Sequence, residues 1–271
     1  MAIEYIKEIG LVAFSCYVTL LFIGAALLYR KGRKEMARVK KAGVYNYLLM
    51  AFILFLGLAY VVRMYFMFFL AGSDAEFINQ MTATERTGLA LPGYAADGRL
   101  HILQLSWQVH MCLIFVGIGF LTLSTEYLFF KKTKYMLAIF SFAITPFMII
   151  LPYEIAHRIY MIFYFSPIAW ALVYIIVARN STGSVRVNAL MLLLGMVIFI
   201  IGTVMNSSTF REFLFETVSY HVAEDSVFIS VLLSPIVLII GCVITISALF
   251  SKFKPLHGGE EVTRQEVVTV E

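Results

Sequence analysis

Charge is what this sequence has least of. Asp, Glu, Lys and Arg make up 14% of its 271 residues against 61% hydrophobic, and the mean hydropathy is +0.87. Soluble domains are about 25% charged and about 45–50% apolar. The shortage excludes an ordinary water-soluble globule and points to membrane spans. Cysteine is scarce as well. Cys16, Cys112 and Cys242 lie inside apolar stretches with no CxxC pair, which reads as buried reduced thiols rather than disulfides or metal ligands. No glycine-rich phosphate loop, HExxH or HxxxH occurs, so no motif identifies a reaction. Every lysine lies in a loop, a helix end or a terminus. Retinal-linked photochemistry, which needs a mid-span lysine for its Schiff base, is disfavoured. The formal net charge of +4 gives no reason to expect nucleic acid, because the basic residues bunch at the ends of apolar runs.

Those long apolar runs dominate the chain. They predict an all-α integral membrane protein, a seven-transmembrane helix bundle with spans at about 9–29, 44–70, 100–130, 135–152, 155–178, 187–206 and 226–250. Residues 1–254 form the bundle, and 255–271, which carry no helical apolar stripe, form a flexible cytoplasmic tail. Positive charge follows the first run instead of preceding it, so that run reads as an uncleaved span rather than a signal peptide. The four segments expected inside the cell hold fifteen Lys and Arg residues, seven of them between Arg30 and Lys41. Lys131, Lys132, Lys134, Arg179, Arg186, Lys252, Lys254 and Arg264 supply the rest. This asymmetry predicts an outer N-terminus and a cytoplasmic C-terminus. Pro146 predicts a kink and Pro152 an end to the fourth span. Seven spans leave only short loops and a tail within this length, and the setting expected is a plasma membrane.

The stretch from Gly98 to Lys134 organises the rest. Its helix carries His101, Gln104, Gln108 and Cys112 on one face. Polar groups are expensive in lipid, so each is a functional hypothesis. Others gather toward the same outer half: Arg63, then His157, Tyr160 and Tyr164, then Thr203 and Asn206, then Ser226, Ser230 and Ser234 beside Pro235. If the stripes converge, Arg63, His101, Gln104, Gln108, Tyr160, Tyr164, Ser230 and Ser234 line a ligand pocket open to the outside. Arg63 would then attract a small anionic ligand, such as a carboxylate. Each residue also has a plainer reading. Arg63 suits a side chain that snorkels to the headgroups, Glu154 and Arg158 a surface ion pair, the serines close helix packing, and the tyrosines an interfacial belt.

The histidines support a second class of function. His101, His157 and His221 sit near the outer boundary on three segments, with Glu154, Glu224 and Asp225 at similar depth. Three histidines could bind zinc, and two on facing helices could ligate a haem. No cofactor is required by any motif, so haem or zinc stands as the alternative. His110, nine residues from His101, is half a revolution out of phase with it and about 13 Å deeper at 1.5 Å per residue. It reads as a hydrogen-bonded packing residue. Glu126, near the inner end of the same helix, is expected to pair with a basic residue of the first inner loop. The leading expectation is a receptor-like or sensory protein with the lipid bilayer, an outer ligand and a cytoplasmic protein as partners. A redox or metal-dependent enzyme and a small transporter are the alternatives. The transporter requires the polar path to continue inward from His110 to Glu126.

Overall fold

The computed structural model describes residues 2–70, 99–128, 134–152, 155–156, 158–160, 166–205 and 233–250. Among these residues every regular element is helical. The helices are α1 (Ala2–Met36), α2 (Lys40–Tyr65), α3 (Arg99–Leu128), α4 (Met136–Ile144), α5 (Phe147–Ile150), α6 (Ser166–Asn180), α7 (Gly183–Met205) and α8 (Ser234–Phe250). A π-helical turn, Phe66–Leu70, extends α2.

The first two helices are longer than their apolar cores and take in most of the basic cluster. Only residues 37–39 break the path between them. The hairpin closes because Gly43 lies against the Met36 backbone: a Cβ at Gly43 would stand 2.6 Å from Met36 Cα. Asn46, buried in α2, donates from Nδ2 to Glu35 Oε2 at 2.9 Å and to Ala42 O at 2.9 Å. Arg33 and Lys34 occupy the last turn of α1, where cations meet the negative end of the helix dipole.

The region expected as one span from 135 to 152 is broken in two at Thr145–Pro146. Proline removes an amide donor and crowds the preceding turn. Leu151 is extended, with φ −70° and ψ 150°. Backbone bonds from the amides of Ile155 and Ala156 to Pro152 O then restart a helical turn.

Most consecutive helices are neighbours. α1 packs on α2, α2 on α3, α3 on α4 and α5, α6 on α7, α7 on α8, and α8 returns to α1. The α7–α8 contact is a backbone contact. A Cβ on Gly241 would lie 2.9 Å from Phe199 N and 3.0 Å from Gly195 O, and one on Gly202 would lie 2.9 Å from Leu238 Cγ. Small residues that let backbones meet are the usual basis of helix association in lipid.

The outer surface is apolar. Ile150 is 76% exposed, and Leu190, Leu194, Val197, Ile201 and Val204 are exposed at steps of three and four along α7. Such a stripe is costly in water and costless against acyl chains. Glu8–Met36, Lys40–Phe69, Leu105–Leu128 and Val185–Met205 are long and apolar enough to cross a membrane, while Met136–Ile150, Trp170–Asn180 and Ser234–Phe250 are apolar but shorter. The protein is therefore helical and membrane-embedded.

Candidate functional site

The helices border a partly open cavity of about 170 Å³. Its wall comes from α1 (Leu21), α2 (Phe52, Ile53 and Leu56 among others), α3 (Ile114 to Leu121), α6 (Trp170, Tyr174), α7 (Leu192 to Thr203) and α8 (Cys242 to Leu249). Tyr60 and Tyr160 also line it. Among the described residues no charged side chain is on this wall. The cavity is level with the middles of α2, α3 and α7.

Beyond Tyr60 and Tyr160 the character changes. Arg63, one turn after Tyr60, is 4% exposed, and its guanidinium carbon lies 4.9 Å from the centre of the Trp107 ring. A cation over an indole face is attracted by the ring quadrupole. Arg63 is thus held inside the protein instead of snorkelling. The π-helical turn that follows brings Phe66 to 5.5 Å from Trp107. His110, one turn along α3 from Trp107, is 1% exposed, and the two rings are 5.0 Å apart. Tyr60 and Tyr160 approach His110 edge-on at 6.1 and 6.5 Å. His110 Nδ1 lies 2.7 Å from Ala59 O. A carbonyl only accepts, so Nδ1 carries the proton. Nε2 of His110 and Nε1 of Trp107 are buried with no hydrogen-bond partner among the described residues.

Two other polar residues of α3 hold its neighbours. Gln108 Nε2 donates to Leu151 O at 2.8 Å, a carbonyl left over where α5 ends. At the opposite end, Glu126 is 1% exposed. Its carboxylate accepts from Leu137 N at 3.2 Å and Ala138 N at 3.1 Å. These amides open α4, and a carboxylate there meets free donors and the positive end of the dipole. The basic side chain expected from the first inner loop is not its partner among the described residues; two backbone amides are. Lys134 and Tyr135 lead into α4 with φ of 49° and 64°, a left-handed turn that costs about 1–2 kcal/mol per residue. The two bonds to Glu126 offset it.

Of the pocket residues expected from sequence, Arg63 and Tyr160 meet at Trp107, Gln108 is turned to the α5 end, and Tyr160 alone of the described members reaches the cavity wall. Ser234 is buried elsewhere, donating to Gly202 O at 2.9 Å across the α7–α8 seam. His101 and Gln104 lie on α3, and their side chains are outside the description. Tyr164, Ser230, His157 and His221 lie outside the described residues, as do the outer loop and the tail. No three His, Cys, Asp or Glu side chains come together as a metal site among the described residues. Trp107, Tyr60 and the aromatic floor of Trp170 and Tyr174 were not expected. The signal for the first was available: Trp107 and His110, like Tyr60 and Arg63, are three apart on one helical face.

No protein-family model, curated protein or solved structure matches this chain.

Proposed function

We propose that this is a seven-helix, receptor-like sensory protein of the plasma membrane that takes a small, largely apolar ligand into its central cavity. Its N-terminus faces outward and its C-terminus lies in the cytoplasm, as the basic residues at one end of the bundle favour. The observation that carries the reading is the cavity itself. Six helices, α1, α2, α3, α6, α7 and α8, contribute to one wall, around a space of about 170 Å³. A dry apolar cavity of roughly 150 Å³ holds benzene in a soluble protein. A ligand that bridges many helices can bias their packing, and a bundle with a proline-broken helix and a tightly closed inner hairpin can pass that bias to a cytoplasmic partner.

The anionic ligand expected from Arg63 has no counter-charge on the cavity wall, and an ion placed there would lose several kcal/mol of solvation. A neutral ligand suits the wall better. The uncharged lining also disfavours the transporter, because neither His110 nor Glu126 is part of it.

The test uses full-length protein in detergent, with toluene as the probe. Toluene is expected to raise the thermal unfolding midpoint saturably. Ile118→Trp, which fills the cavity from α3, is expected to abolish the shift while the protein stays folded. An equal shift in both proteins, or none in the wild type, rejects the reading. Metal analysis and a Soret scan on the same sample test the zinc or haem alternative.

A further inference from the structure

Resting on that reading, we infer that Trp107 and His110 form a hydroxyl-recognition site at the head of the cavity, and that the ligand is a small apolar molecule bearing one alcohol or phenol group. Two buried polar atoms carry this. An indole N–H only donates, and Trp107 Nε1 is buried with nothing among the described residues to receive its proton. A neutral imidazole whose Nδ1–H is committed to Ala59 O, 2.7 Å away, presents Nε2 as an acceptor. That Nε2 is also buried and unmet among the described residues.

Buried polar atoms nearly always have partners, and an exception in a native fold calls for an explanation, of which a bound group is one. Of the four such atoms among the described residues, those of Trp107 and His110 are complementary: one donor and one acceptor, on rings 5.0 Å apart. A carboxylate would satisfy the indole and repel the imidazole lone pair. An ammonium would do the reverse, beside the Arg63 cation that already lies on Trp107. A hydroxyl accepts from one and donates to the other. Water offers the same chemistry. The ligand's own hydroxyl is favoured because the pair adjoins the cavity through Tyr60 and Tyr160, whose rings face His110 at 6.1 and 6.5 Å and also line the cavity.

The experiment compares p-cresol with toluene on full-length protein in one detergent, by thermal shift and by calorimetric titration. Wild type is expected to bind p-cresol roughly tenfold or more tightly than toluene, the worth of a satisfied donor and acceptor. Trp107→Phe and His110→Phe keep an aromatic ring and remove one polar atom each. Each is expected to cut the p-cresol preference several-fold while toluene still binds, which also shows that the variant is folded. Comparing ratios within one detergent removes the different micelle partitioning of the two probes.

Equal binding of both probes by wild type means that the pair holds its own water, and overturns the inference while leaving the cavity reading intact. A preference that survives both substitutions places the hydroxyl elsewhere and also overturns it. If neither probe binds wild type, the cavity reading itself fails and the inference falls with it.

Discussion

The bundle is held together in two different ways on its two sides. On one side α3 reaches out with long polar side chains. Gln108 ties the end of α5, Glu126 ties the start of α4, and His110 ties α2 at Ala59. On the other side α7 and α8 touch backbone to backbone through Gly195, Gly202 and Gly241, with Ser234 adding one hydrogen bond. The glycine seam is complete in itself: it has no room to spare. The α3 side is incomplete. Its clasps satisfy backbone groups of other helices and leave Nε1 of Trp107 and Nε2 of His110 over. A seam of the first kind can only hold. One of the second kind retains unused hydrogen-bonding capacity beside a cavity, which is what a binding site needs.

The contrast can be broken most severely at Glu126. Glu126→Ala removes both acceptors for the opening amides of α4, and charge-assisted bonds are worth about 1.5–3 kcal/mol each. A loss of roughly 3 kcal/mol is expected by denaturant titration in mixed micelles. Glu126→Gln, which keeps one acceptor, should recover part of it. Next comes Gly241→Leu, which forces α7 and α8 apart. Overpacking of this kind costs typically 1–3 kcal/mol, and the same titration reads it. Toluene binding sharpens the comparison: at equal stability loss, a variant of the glycine seam that stays folded should retain His110-dependent discrimination between p-cresol and toluene. Gln108→Leu frees Leu151 O and should cost about 1 kcal/mol. Ser234→Ala should be the mildest, near the average of about 0.6 kcal/mol for interhelical hydrogen bonds in membranes.

Much of the architecture was legible in the apolar runs and their basic ends. Pro146 marked the break between α4 and α5, because its missing donor acts locally whatever surrounds it. The partner of Glu126 was not legible. Sequence displays side-chain charges and so suggested a basic residue, whereas the groups that meet the carboxylate are backbone amides exposed by a left-handed turn at Lys134 and Tyr135. The helical state of the basic cluster was missed for a similar reason. Charge read as loop, but Gly43 lets α2 begin against Met36. The apolar cavity was not legible. Polar residues drew attention to Arg63 and Gln108, yet both are taken up in packing, and the open space lies where Tyr60, Tyr160, Trp170 and Tyr174 surround aliphatic side chains. Where a gap remains depends on the sizes of residues from six segments that meet only in three dimensions.

We propose that both sides of the comparison belong to one bundle that crosses the bilayer seven times with the Trp107–His110 pair toward the outer face. The direct measurement is cysteine accessibility in intact cells, with Cys16, Cys112 and Cys242 replaced and single cysteines placed at Ile3, Arg38, Thr182 and His257. The account predicts that a membrane-impermeant maleimide labels position 3 from outside, and labels 38, 182 and 257 only after permeabilisation. Labelling of 38 or 182 in intact cells, or of 3 and 257 from the same side, would contradict it.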